Sequence, residues 1–389
     1  MKLTFYSNYL NHHQIPFCEE MYKLLGSDYN FVATEPMEEE RIQLGWGLRK
    51  EYPYEIRSYE NQDTYKKCLN LGLESDVVII GSAPEVFVSD RIRQNELTFR
   101  YSERLFKTGI WRLMNPRTLI SMIKQHTCHR NSNLHMLCAS AYTSKDVSVI
   151  KAYPNKKYKW GYFPELRKYN HAELLANKNK QPISLLWCGR FLGWKHPEKA
   201  VAVMNRLRDN GFGCMLEFIG DGPINAEIRN LVTSLKLDDR IKFLGSMSPE
   251  KVRQHMEKAD IFLFTSDRQE GWGAVLNEAM NSGCAVVASH AIGSVPFLIQ
   301  TGNNGFIYKD NDIDDLYHKV EILVEDADLR AEMGLNAVKT VERLWNPKVA
   351  AERLVEFCNG LLANKVTEFE DGPCSRAKVL KNNWFPRNE

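Results

Sequence analysis

The stretch from residue 260 to residue 288 constrains the fold of this chain more than any other. Asp260 to Thr265 reads as a buried strand. The turn Asp267-Arg268-Gln269-Glu270-Gly271-Trp272-Gly273 follows, then a helix-like run from Ala274 to Met280, then a second apolar strand from Cys284 to Ala288. Strand, turn, helix and strand make a βαβ unit, which requires a parallel sheet. Ligands of such sheets bind outside the carboxyl ends of the strands, which is where Glu270 falls. Gly271 and Gly273 let a ligand approach the backbone. The amides of Ala274, Val275 and Leu276 open the helix, and amides at a helix start attract phosphate. Glu278, about one turn further in, can accept hydrogen bonds from two neighbouring hydroxyls. A diphosphate with a sugar on each side would satisfy all of these groups.

The same alternation runs through the rest of the chain. Strands are expected at Lys2 to Ser7, Tyr29 to Thr34, Asp76 to Gly81, Thr98 to Tyr101 and His135 to Ser140. A second series follows at Ile183 to Cys188, Met215 to Ile219, Ile241 to Leu244, Ile261 to Thr265, Cys284 to Ala288 and Gly305 to Tyr308. Helices fill the gaps, so the fold class is α/β with open parallel sheets. The run Pro347 to Leu362 has Val349, Leu354, Val355, Cys358 and Leu361 at helical spacing.

Glu270-Gly271-Trp272-Gly273 followed by Glu278 resembles the signature of glycosyltransferase family 4, the retaining enzymes of GT-B fold. That signature is two glutamates with seven residues between them. The resemblance is close from about Ile183 to Leu361; in the first half it is one of layout. It implies two Rossmann-like domains facing a central cleft. The expected divisions are an acceptor-binding domain at 1–166 and a nucleotide-sugar-binding domain at 182–346. A helix at 347–364 would return to the first domain, and a loosely held polar tail would cover 365–389. A polar linker, roughly Arg167 to Gln181, would join the domains.

The resemblance also implies roles. Gly189-Arg190 and Lys195 follow the first strand of the second domain. There Arg190 and Lys195 would neutralise the donor diphosphate in place of a metal. Glu270 would hold the transferred sugar and Glu278 the ribose. Gly220 and Gly222 would lie beside the nucleotide, and the loop holding Met247 would border the base. Relatives usually have glycine after the lysine, whereas His196 stands here and reads as structural. The first domain departs further, because Asn8 to Gln14 has no glycine and Thr98 to Glu103 has no histidine. His12, His13, Ser102 and Glu103 are the acceptor-side candidates, although a loop histidine is more often a surface residue. Asp310-Asn311-Asp312 with Glu321 imitates a calcium loop, but its sixth position is Asp315 rather than glycine; it reads as an acid-rich helix start.

The implied activity is transfer of a sugar from a UDP- or GDP-type donor to a saccharide acceptor, free or lipid-linked, in cell-surface polysaccharide or glycoconjugate synthesis. No metal or other cofactor is expected. A GT-B epimerase of nucleotide sugars and a non-catalytic sugar-nucleotide-binding subunit remain alternatives.

Composition bounds the remainder. A net charge of +2 gives no reason to expect a nucleic-acid partner. Nine cysteines with no Cys-x-x-Cys argue for a reducing, cytoplasmic setting, and the N-terminus lacks a signal-peptide pattern. Basic residues collect in one region: Arg104, Lys107, Arg112, Arg117, Lys124 and Arg130 occur with no acid between them. Trp111, Ile110, Leu119, Ile120 and Ile123 are interleaved. Residues 104–130 therefore fit either peripheral contact with an anionic membrane at its inner face or an ordinary helix pair with its apolar side inward.

Overall fold

The structure is a computed structural model that describes residues 1–39, 42, 51–178, 180–365, 367–381 and 384–385. It divides into two compact units, residues 1–165 with 344–381 and residues 166–343 with 382–389.

The first unit is built on a seven-stranded sheet. Its strands are β1 (Leu3–Ser7), β2 (Tyr29–Ala33), β3 (Glu55–Arg57), β4 (Val77–Ile80), β5 (Thr98–Ser102), β6 (Leu134–Cys138) and β7 (Lys157–Lys159). Every pairing is parallel, in the order β3-β2-β1-β4-β5-β6-β7. β1, β4 and β6 are buried along their whole length, as strands covered on both faces must be. The short edge strands β3 and β7 go beyond the strands expected from sequence. The C-terminal helix Pro347–Leu362 packs on the helix Ile15–Leu25. Its Phe357 reaches Phe99 and Tyr158, with ring centroids 6.0 and 4.5 Å apart.

The second unit has six strands: β8 (Ile183–Cys188), β9 (Cys214–Ile219), β10 (Ile241–Phe243), β11 (Ile261–Phe264), β12 (Ala285–Ser289) and β13 (Phe306–Tyr308). They are again all parallel, in the order β10-β9-β8-β11-β12-β13. Leu185, Trp187, Leu216, Phe218, Leu263 and Val287 pack with the helix residues Val201, Met204 and Leu207 in one core. The acid-rich stretch begins a helix, Ile313–Glu325, whose cap residue Asp312 accepts a hydrogen bond from the Asp315 amide at 3.0 Å.

Two segments differ from expectation. The supposed linker is packed into the second unit: His171–Ala176 is helical, and Arg167 pairs with Glu257 at 2.9 Å. The Lys178 amine is buried and donates to the carbonyls of Met256 and Ala259 at 3.0 and 2.5 Å. Part of the supposed loose tail is also held. Cys374, Ser375 and Ala377 are buried, and the Cys374 amide donates to the Lys159 carbonyl at 2.9 Å. Residues 366, 382–383 and 386–389 of that tail lie outside the described residues. All nine cysteines are free thiols. Among the described residues no helix is long and apolar enough to cross a membrane.

Candidate active site

In the second sheet, β8 and β11 are neighbours, yet their chain connections lead to opposite sides: β8 leads to β9, and β11 to β12. This is a topological switch point, where a crevice opens at the carboxyl ends of the strands. The loop after β8 carries Gly189, Arg190 and Lys195, and the loop after β11 carries Glu270. Lys195 Nζ donates to Glu270 Oε2 between these two loops at 2.6 Å. Both side chains are largely buried, at 15% and 10% exposure, so the pair is shielded from the solvent screening that weakens surface ion pairs.

The surrounding contacts fix both partners. Ser266 Oγ donates to the same Glu270 oxygen at 3.1 Å. Thr265 Oγ1 donates to the Lys195 carbonyl at 2.8 Å and receives the Trp187 indole N–H at 2.9 Å. The Asp267 amide donates to the Trp194 carbonyl at 2.9 Å. The two loops are therefore joined side chain to backbone and backbone to backbone. His196 adopts φ +53°, a left-handed conformation that glycine reaches more cheaply. Its imidazole lies 2.6 Å from Glu198 and 3.7 Å from Asp267, which holds the turn that ends in Lys195.

Several predicted site residues turn out to act through packing. Gly220, at φ +123°, sits so close to the first loop that an added Cβ would fall 2.0 Å from the Gly189 carbonyl oxygen. A Cβ on Gly222 would fall 2.6 Å from the Phe191 carbonyl oxygen. These glycines let the turn after β9 press against the Arg190–Lys195 loop. The Phe191 amide donates to the Asp221 carbonyl at 2.9 Å to close that contact. Gly220→Ala should therefore cost about 2 kcal/mol by overpacking, a melting point lower by roughly 5 °C. A thermal melt identical to the parent protein would show that the two turns are not in contact.

The glutamate motif is likewise part core. Gly273 has φ +78°, and a Cβ there would meet the Phe264 ring at 2.3 Å, so this glycine serves ring packing. Trp272 is fully buried, and its indole donates to Asn277 Oδ1 at 3.0 Å. Its side chain faces the core, so a donor contact at this residue is left to the backbone. Gly271 and Ala274 are buried and Val275 is half-buried. The Leu276 amide, expected to face phosphate, donates to the Gly273 carbonyl at 3.0 Å instead. Glu278 lies on the helix Val275–Asn281 and is half-buried. Burial, and then the Glu278 charge, push the Cys188 thiol up to about 12, while Lys195 pulls it down. Glu278 and Lys195 thus both act electrostatically on the end of β8. Gly189 is half-buried, Arg190 is exposed beside it, and Met247 is half-buried in the loop after β10.

Residues 174–340, which hold all of these loops, match the family described as Glycosyl transferases group 1. Over these residues the chain is similar to the group 1 glycosyl transferases. It is similar to N-acetyl-alpha-D-glucosaminyl L-malate synthase of Bacillus anthracis, 30% identical over 51% of this chain and 53% of that protein. It is also similar to a sulfoquinovosyl transferase of Arabidopsis thaliana, 26% identical over 55% of this chain and 42% of that one. The chain thus spans about half the length of the curated relatives it matches. HepE of Anabaena, solved in complex with UDP, superposes with a TM-score of 0.69 over 92% of this chain and 100% of that one. At 16% identity that likeness is one of fold, and the fold is GT-B, with both Rossmann-like units present.

The first unit has its own cavity of about 810 Å³ at the carboxyl ends of β1, β4 and β5. Ser102 and Glu103 line it; His12 and His13 do not. The two imidazoles lie against each other, tilted by 45° with centroids 3.7 Å apart, and burial, then His12, hold His13 well below its ordinary pKa. Glu103 is fixed by the Tyr162 hydroxyl at 2.9 Å and by Lys107. Sequence reasoning missed two lining groups. Arg100 makes a bidentate pair with Glu85, at 2.5 and 2.7 Å. His126 lies 2.6 Å from the Tyr153 hydroxyl and is pushed down to about 3 by burial, then by Arg100 and His129. The only available signal was the place of Glu85 just past β4.

Proposed function

We propose that the protein is a retaining, metal-independent glycosyltransferase that moves a sugar from a nucleoside-diphosphate sugar to a saccharide acceptor in polysaccharide or glycoconjugate synthesis. The observation that carries this reading is the Lys195–Glu270 pair held across the switch point of the second sheet. As the glycosidic bond breaks, the leaving diphosphate gains negative charge. Lys195, with Arg190 on the same loop, would be a preorganised cation for that charge. Glu270 would accept hydrogen bonds from sugar hydroxyls, and Glu278 from the ribose. In a same-face displacement the departing phosphate oxygen takes the proton of the attacking hydroxyl, so no protein nucleophile is needed. The acceptor is assigned to the cavity lined by Ser102 and Glu103, whose Asn8, Asn11 and Tyr162 add hydrogen-bonding groups suited to a saccharide. UDP-sugars are the donors to test first, given the UDP complex of HepE, and GDP-sugars next.

Glu278→Gln tests the nucleotide half. The charge-assisted bonds it removes are worth about 1.5–3 kcal/mol, so nucleoside diphosphate affinity should fall roughly tenfold or more. Unchanged affinity by calorimetry would remove Glu278 from the ribose site. Donor consumption with and without acceptor tests the reaction class. Consumption that rises with acceptor supports transfer; conversion of the donor to an isomeric nucleotide sugar without acceptor would indicate epimerisation.

A further inference from the structure

The segment after β5 is anchored by its ends. Phe106 and His126 are buried, and Leu105, Leu113 and Met122 pack against the first unit's core. Between them run a tight turn, Ile110–Met114, and a helix, Pro116–Met122, capped by the Asn115 side chain. If this were an ordinary helix pair, its apolar side chains would point inward. Several point outward: Ile110 is 55% exposed, Trp111 63%, Met114 84% and Ile120 52%, with Leu119 and Ile123 also on the surface. The Trp111 ring is a positioned side chain. Its indole N–H donates to the Thr108 carbonyl at 2.8 Å, and it lies over Gly109, whose φ of +122° and missing Cβ make room for it.

Charge says what covers this surface. Arg104 lies near Asp146, and Lys107 pairs with Glu103. Arg112, Arg117, Lys124 and Arg130 have no acidic partner within ion-pair distance among the described residues, and no acid occurs from 104 to 130. Pairing with a second copy would set these cations against themselves, because a two-fold interface presents the same patch from both sides. An anionic lipid surface complements the cations and also accepts the indole and aliphatic side chains between them. We propose that residues 110–124 are a docking surface for an anionic bilayer. Leu105, Lys107, Met122, Gln125 and His126, from the same segment, line the first unit's cavity. Docking would therefore bring a lipid-borne acceptor to that cavity. This last step rests on the transferase reading; docking itself does not.

The test is co-sedimentation of the full chain with vesicles of phosphatidylcholine alone or mixed with phosphatidylglycerol, with no donor present. Binding is expected only with the anionic lipid, and it should weaken as salt is raised. Arg112→Glu, Arg117→Glu and Lys124→Glu combined should lower it by at least about a hundred-fold, from the contribution of three cations near a charged surface. Trp111→Ala with Met114→Ser, both at exposed sites, should weaken it with the thermal melt unchanged, which keeps the test valid if the charge variant folds poorly. Absence of binding to anionic vesicles at low salt would overturn the proposal. So would equal binding to both lipids, or a dimer that the charge variant disrupts without any vesicle binding.

Discussion

Lys195→Ala is expected to lower kcat/KM by about two to three powers of ten, the scale for removing one preorganised donor to a developing negative charge. The geometry explains why so much rests on one side chain. Nζ is held 2.6 Å from Glu270, the Lys195 carbonyl is tied to Thr265, and the turn is set by the left-handed His196. The cation is therefore held in place by the fold itself and would need no reorganisation as the bond breaks. The loss should fall mainly on kcat, because the charge it meets is largest in the transition state. Lys195→Arg should recover part of the rate. A drop smaller than about tenfold, or one confined to KM, would mean that Lys195 does not stabilise the leaving group.

Glu270→Gln should separate binding from turnover. The carboxylate pairs with Lys195, the cation proposed for the diphosphate. Replacing it with an amide removes a negative charge from the diphosphate site. Nucleoside diphosphate affinity should thus be unchanged or a few-fold tighter. Transfer should nonetheless fall by about a hundred-fold or more, since the sugar loses a charge-assisted acceptor worth about 1.5–3 kcal/mol and its alignment with it. Calorimetry with the free nucleotide and rates with the full donor give the two halves. If affinity collapses together with the rate, Glu270 acts as a positioning residue for Lys195 and not as a contact to the sugar.

The strands and the carboxyl-end loops were legible because buried parallel strands are continuous apolar runs and the switch-point rule then fixes where ligands bind. β3 and β7 were not, since three residues are too few to show a period. The supposed linker misled through its polarity: Lys178 has a buried amine satisfied by two carbonyls from elsewhere in the chain, a contact invisible to local composition. Gly220, Gly222 and Gly273 show a different limit. A glycine that admits a ligand and one that admits a neighbouring turn or ring are identical in sequence, because both need only a missing Cβ. Trp272 stood in a motif that suggested a ligand contact, yet its indole finds Asn277 in the core. In the first unit, sequence reasoning looked for a histidine near β1 or β5. His126 reaches the cavity from a later element, which only the tertiary fold brings there.

The proposed reaction is same-face transfer from a nucleoside-diphosphate sugar without a metal. The most direct measurement is proton NMR of the anomeric centre in the glycoside formed from a UDP- or GDP-sugar and a saccharide acceptor, in the presence of a chelator. The expected product keeps the anomeric configuration of the donor and forms at an undiminished rate. A product of inverted configuration, or no product until a divalent ion is restored, would contradict it.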